Sequence, residues 1–117
     1  MEALKVAMKD ISELQSEFWQ NIKVTGSKKD FNQTLEKAGR VADFIELGHL
    51  MCLDAIDRKE SCGAHARLEY LAESGDAKRD DENYSHVAAW EFQDRKPILH
   101  KEHLHFEFIK PTMRDYK

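Results

Sequence analysis

Leu4, Ala7, Met8, Ile11, Leu14, Phe18 and Ile22 recur three or four residues apart, with Lys5, Lys9, Asp10, Glu13 and Gln20 on other faces. This spacing predicts an amphipathic helix over residues 3–22. Val24-Thr25-Gly26-Ser27 breaks the pattern. Gly26 is free to take a positive φ, and Ser27 or Asp30 is placed to accept from the first amides of a following helix, predicted to start between residues 29 and 32. In that second helix Phe31, Leu35, Ala38, Ala42, Ile45, Cys52 and Ile56 form one stripe, while Val41, Phe44, Leu47, Leu50 and Met51 fill other directions. A rod of about 40 Å that is apolar on several sides is normally covered by more than one neighbour. One partner helix is visible, so further cover is expected from a third helix, another domain or a second copy.

Arg58 to Asn83 is polar, holds Gly63 and Gly75, and shows no sustained period. It reads as a long connection of a length usually tied to function. Beyond it, His86, Ala88, Trp90 and Phe92 alternate with Val87, Ala89 and Glu91. Leu104, Phe106 and Phe108 likewise alternate with His103, His105 and Glu107. Both segments predict strands, with Gln93-Asp94-Arg95-Lys96-Pro97 as the turn between them. Trp90, Phe92, Phe106 and Phe108 are then expected to be hairpin core. The fold expected is mainly α: an antiparallel helical bundle followed by a long loop and a C-terminal β-hairpin.

With 117 residues, 41% of them hydrophobic, the chain suits one domain: a helical pair over 1–58, a loop over 59–84, and a hairpin with its tail over 85–117. Acidic residues outnumber basic ones, for a net charge of −4, and the basic residues form no stripe. Nucleic acid is therefore a poor partner. No apolar run approaches the roughly 20 residues a membrane helix needs, and no secretory leader is legible, so a soluble chain is expected. Two cysteines, Cys52 and Cys62, make no disulfide framework and favour a reducing compartment.

Three constellations invite chemistry. His103 and His105 at strand spacing, with His100 and His65, suggest metal ligation, but zinc needs three or four convergent donors and no Cys-x-x-Cys or His-Glu-x-x-His is present. No metal site is expected. Cys62 beside His65 and Glu60 suggests an activated thiol, yet sequence proximity does not establish the geometry, and a small side chain beside a flexible Gly63-Ala64 is the simpler reading. Arg79-Asp80-Asp81-Glu82-Asn83 suggests paired carboxylates, for which a hydrogen-bonded brace with Arg67 or Arg58 is favoured over catalysis. No catalytic, cofactor-binding or metal-binding residue is expected.

Glu60-Ser61-Cys62-Gly63-Ala64-His65-Ala66-Arg67, followed by Arg79-Asp80-Asp81 and a strand pair with His86 near its start, resembles the C-terminal region of the flavoprotein subunit of succinate dehydrogenase and fumarate reductase. The match covers most of the chain. The resemblance implies a spectrin-repeat-like three-helix bundle with a strand-containing tail, of which this chain lacks the first helix. It implies a C-terminal fragment of a larger flavoprotein that interconverts succinate and fumarate through FAD. The cofactor-binding glycines and substrate-binding groups of the family lie N-terminal to this region. In agreement, no Gly-x-Gly-x-x-Gly follows a strand here, so the fragment alone is expected to hold no FAD and to be inactive.

By the same resemblance Glu60, Ser61, Gly63, His65, Arg67, Arg79, Asp80 and Asp81 have a structural, docking role. Many relatives carry Arg where this chain has Cys62, and the carboxylate usual after Arg67 is represented by Glu69 beside Tyr70. The implied partners are the remaining domains of the flavoprotein and an iron–sulfur subunit. Through that subunit a membrane anchor follows, placing the complex at the cytoplasmic face of the inner membrane. The tail from Leu99 to Lys117 resembles the subgroup with a longer hairpin. L-Aspartate oxidase resembles the same loop and is an alternative parent. A free-standing helical interaction module, using residues 31–56 on another helix, is a second alternative, and self-association of the isolated chain is open.

Overall fold

The computed structural model describes residues 1–27 and 30–112. The chain is mainly helical with an antiparallel two-stranded hairpin near its C-terminus. It divides into two compact units, Met1–Asp57 and Arg58–Lys117. The predicted start of a second helix at residue 29, and the tail residues 113–117, lie outside the described residues.

The first unit holds α1 (Glu2–Asn21) and α2 (Gln33–Asp57), which pack along one another. The predicted bounds differ by one residue for α1. In α1 the half-buried positions Leu4, Ala7, Met8, Ile11 and Phe18 follow the expected stripe, whereas Leu14 and Ile22 remain exposed. In α2 the seam is Ala38, Ala42, Ile45, His49, Cys52 and Ile56, all at least half-buried. Ile45 is the one fully buried apolar side chain among the described residues, at 8% exposure. Gly48 sits at this contact, where an added Cβ would stand 3.7 Å from the Ile11 Cδ1 atom.

The start of α2 corrects the sequence reading. Neither Ser27 nor Asp30 caps it. The Asn32 side-chain oxygen accepts from the Thr34 and Leu35 amides at 3.0 and 3.2 Å, satisfying donors that the first helical turn leaves without partners. The Asn32 amide group in turn donates to the Thr25 carbonyl at 3.1 Å. Gly26 permits that approach: its φ is 121°, and a Cβ there would lie 2.6 Å from the Asn32 side-chain nitrogen. Phe31, expected on the helical stripe, precedes the helix and is 80% exposed.

The second unit begins with the connection, which carries one 3₁₀ turn at Leu68–Tyr70 and a short helix α3 (Asp81–Tyr84) before the strands β1 (His86–Gln93) and β2 (Lys96–His103). The hairpin turn is two residues, Asp94 and Arg95, both left-handed at φ 51° and 62°, as a type I′ connection requires. β2 thus lies earlier than predicted: the alternating Leu104–Phe108 segment is outside the ladder. A strand needs a partner backbone, and β1 begins at His86, directly after α3. Only the Leu104 amide continues the pairing, donating to the Ser85 carbonyl at 2.9 Å. The expected hairpin core is reduced to the half-buried cross-strand pair Trp90–Leu99, while Phe92, Phe106 and Phe108 are exposed. Pro97 faces Phe92. A two-residue turn makes Gln93–Lys96 the hydrogen-bonded pair, so the next pair, Phe92–Pro97, is non-bonded and the missing proline N–H costs no ladder bond.

The Asn32→Ala variant is expected to lose about 1 kcal/mol in the unfolding of the helical unit, and Asn32→Ser to recover most of it. Urea denaturation followed by far-ultraviolet circular dichroism reads both, and an Ala variant as stable as the parent would refute the capping role.

Candidate functional site: the braced loop from Arg58 to Asp81

Local turn chemistry folds the loop back on itself. Cys62 and His65 exchange backbone hydrogen bonds, N–H to carbonyl, at 2.8 and 3.1 Å, with Gly63-Ala64 between them. Gly63 has φ 58° and an added Cβ would meet nothing within 4 Å. Its constraint is therefore conformational: a two-residue turn with only its first residue left-handed is type II′ and favours glycine there. The returning chain is tied down by the Ser61 amide on the Lys78 carbonyl at 2.9 Å and the Lys78 amide on the Tyr70 carbonyl at 3.1 Å.

Three polar side chains are buried in this fold: Glu60 at 2% exposure, Ser61 at 0% and Arg67 at 5%. Glu60 Oε1 accepts from Arg58 Nε at 2.7 Å and lies 2.6 Å from Arg58 Nη2, while Oε2 accepts from the Asp80 amide at 2.8 Å. Both carboxylate oxygens are thus engaged, one by a charge and one by a backbone donor, which is the condition for keeping such a group out of water. The Ser61 hydroxyl donates to the Arg67 carbonyl at 3.1 Å and accepts from the Arg67 amide at 2.9 Å. The Arg67 guanidinium donates to the Arg58 carbonyl at 3.3 Å, lies 3.6 Å from Glu69 Oε2, and stacks over the Tyr70 ring at 5.0 Å from its centroid. Such cation–π stacking strengthens as water is removed.

The acidic turn closes the frame. Arg79 Nε donates to Asp81 Oδ1 at 2.9 Å, Nη2 bonds the same oxygen, and Nη1 donates to the Thr112 carbonyl at 3.4 Å. The hydrogen bond to Asp81 holds the Arg79 guanidinium above its ordinary pKa, against the opposing effect of burial. Asp80 caps α3, its carboxylate accepting from the Asn83 amide at 3.2 Å.

The predicted site residues therefore fall into two linked groups. Glu60, Ser61, His65 and Arg67 are joined through Arg58, and Asp80 joins them through Glu60. Arg79 and Asp81 pair with each other, where the sequence reading looked to Arg67 or Arg58. His65 offers its Nε2 to the Arg58 carbonyl at 3.0 Å, and Glu60 is committed to Arg58 and Asp80, so the imagined thiol–imidazole–carboxylate relay does not assemble. The histidines weighed as ligands also stand apart. His100 pairs with Glu91 at 2.7 Å, whereas His103 faces His86 across the hairpin. No group of three or more metal-ligating side chains occurs among the described residues. The Tyr70 platform under Arg67 was not assigned from sequence, although Arg67-x-x-Tyr70 is the spacing a 3₁₀ turn brings together.

The arrangement is a polar loop tied together by its own side chains and main chain, followed by a hairpin. The chain belongs to the fumarate reductase flavoprotein C-terminal family, whose model matches residues 1–116. It is 28% identical over 116 residues to the fumarate reductase flavoprotein subunit of a Serratia species, covering 98% of this chain and 19% of that protein. It is 28% identical to the subunits of the same name from Haemophilus influenzae, over 97% of the chain and 18% of that protein, and from Escherichia coli, over 98% and 18%. The chain thus spans about a fifth of the length of these relatives. No solved structure matches it at the same stringency.

Replacing Glu60 by Ala leaves the Asp80 amide without its acceptor and ends the pair with the partly exposed Arg58, and is expected to cost about 1–3 kcal/mol. Asp81→Ala removes a pair that is about one-third exposed and should cost under about 1 kcal/mol. Chemical denaturation of the two variants checks the order, and equal losses would remove Glu60 from the centre of the frame.

Proposed function

We propose that this chain is the C-terminal domain of a succinate dehydrogenase or fumarate reductase flavoprotein subunit, acting structurally while the parent interconverts succinate and fumarate through FAD. The observation that carries the reading is the family match across nearly the whole chain, to a family described as the C-terminal part of such subunits. The loop supports a structural role. Its buried carboxylate is engaged by Arg58 and the Asp80 amide, its buried hydroxyl by the Arg67 main chain, and its buried guanidinium donates to the Arg58 carbonyl, whereas an acid–base catalyst needs a group left to exchange protons with substrate. Glu60, Ser61, Gly63, His65 and Arg67, with Arg79, Asp80 and Asp81, then present a rigid surface to the other domains of the flavoprotein. Through those domains the assembly includes an iron–sulfur subunit and a membrane anchor at the cytoplasmic face. No helix among the described residues is long and apolar enough to cross a membrane, and in this reading attachment is indirect.

The test is flavin content and succinate–fumarate turnover of the polypeptide the gene encodes, beside residues 1–117 alone. Flavin and turnover are expected in a longer product and in neither assay for residues 1–117. A product without flavin would overturn the reading and return the chain to an interaction module. Within a flavin-bearing product, Arg67→Ala is expected to weaken assembly, more than Asp81→Ala does because Arg67 is buried. Turnover per bound flavin should be unchanged, and normal assembly with abolished turnover would contradict a structural role.

A further inference from the structure

The clearest alternation in the second unit falls where the structure has no strand. Leu104, Phe106 and Phe108 are apolar while His105 and Glu107 are polar, the period of two by which a strand turns one face to a core and the other to water. Extended through Ile109, the segment would reach about 20 Å, an ordinary strand length, and Pro111 stands where such a strand would end. Its apolar side chains lie in water: Leu104 is 45% exposed, Phe106 49% and Phe108 89%. The ladder of the hairpin stops at His86–His103. Beyond the bond from the Leu104 amide to the Ser85 carbonyl, the chain opposite is α3, which offers no extended backbone to pair with. Among the described residues no amide from His105 to Ile109 donates to a main-chain carbonyl, and the chain bends at Glu107 and Phe108.

We infer that Leu104–Ile109 adds as a strand to an open sheet edge in the part of a flavoprotein subunit that lies outside these residues. This rests on the function proposed above. The kind of partner follows from the chemistry of the segment. A helix-binding groove reads apolar side chains three and four apart. Apolar side chains two apart, on a chain whose amides lack main-chain acceptors, fit a strand edge instead: the main chain supplies the hydrogen bonds and pockets for alternate side chains supply the specificity. The acceptor therefore offers an unpaired strand beside apolar sites about 7 Å apart for Leu104, Phe106 and Phe108. Its source is argued from length: the relatives devote 18–19% of their chains to the matched stretch, so some four-fifths of each is available to supply it. The outer edge of β1 in a second copy of this chain is the competing acceptor, and the experiment separates the two.

Amide hydrogen exchange over residues 104–109 is followed by mass spectrometry in the unsubstituted polypeptide the gene encodes, beside a free peptide of the same six residues. A second preparation carries a photoreactive benzophenone side chain at residue 106 in place of that of Phe106, and a control carries it at residue 105, on the opposite face. After irradiation the cross-linked peptides are mapped. The expected result is exchange slowed at least tenfold against the free peptide, with a cross-link from position 106, at least tenfold stronger than from position 105, to one segment outside residues 1–117 whose own amides are slowed. Exchange at the free-peptide rate, a cross-link to another copy of residues 1–117 or to a separate subunit, or no cross-link would overturn the inference. Flavin is assayed on the same sample: its absence defeats the proposed parent whatever the segment does, and its presence with an unprotected or differently linked segment defeats only the added strand.

Discussion

The buried carboxylate of Glu60 is the constraint on which the second unit depends. Removing an ionised carboxylate from water is unfavourable by several kcal/mol unless its oxygens are satisfied, and here the Arg58 guanidinium and the Asp80 amide do so from opposite ends of a loop. The bond to Asp80 closes a separation of 20 residues. That closure brings Lys78 against Ser61, and Ser61 then orders Arg67 through both its hydrogen-bonding directions. Asp80, held by its amide, keeps its own carboxylate for α3, which in turn sets where β1 begins.

The loop and the helices satisfy themselves to different degrees. The loop is polar, and Arg58 with Glu60 and Arg79 with Asp81 pair within it. The helical pair is apolar yet leaves large side chains such as Phe44 and Met51 in water, beyond the scattered exposure ordinary for a soluble surface. The polar loop and the apolar helical pair, each taken by itself, thus differ in how much of their surface chemistry is settled internally.

Much of this was legible in the sequence. The two helices declared themselves because a three-to-four spacing is maintained for several turns in each. The family resemblance pointed to the loop from Glu60 to Asp81, and the structure adds which of its groups bond to which. The Asn32 cap was missed because Ser27, Asp30 and Asn32 are all suitable acceptors, and the choice is made by Gly26, whose lack of a Cβ admits the Asn32 side chain. β2 was misplaced because Leu104, Phe106 and Phe108 alternate more cleanly than Lys96-Pro97-Ile98-Leu99, and alternation measures fitness for a sheet without supplying a backbone to pair with. The bonds of Ser61 to Lys78 and of Glu60 to Asp80 were beyond sequence reasoning, since each joins residues 17 to 20 apart through a main-chain group that every residue possesses.

Pro97 gives the hairpin a property unrelated to its own stability. Because its pair with Phe92 is the non-bonded kind, the position where an N–H would be points away from β1, along the outer edge of β2. An exposed strand edge is a template on which other chains can extend a sheet, and a proline there removes one of the donors such growth requires. Lys101 lies further along the same strand, where charge adds a second obstacle. The edge of β2 is thus guarded against sheet-to-sheet aggregation at no cost to the ladder within the hairpin.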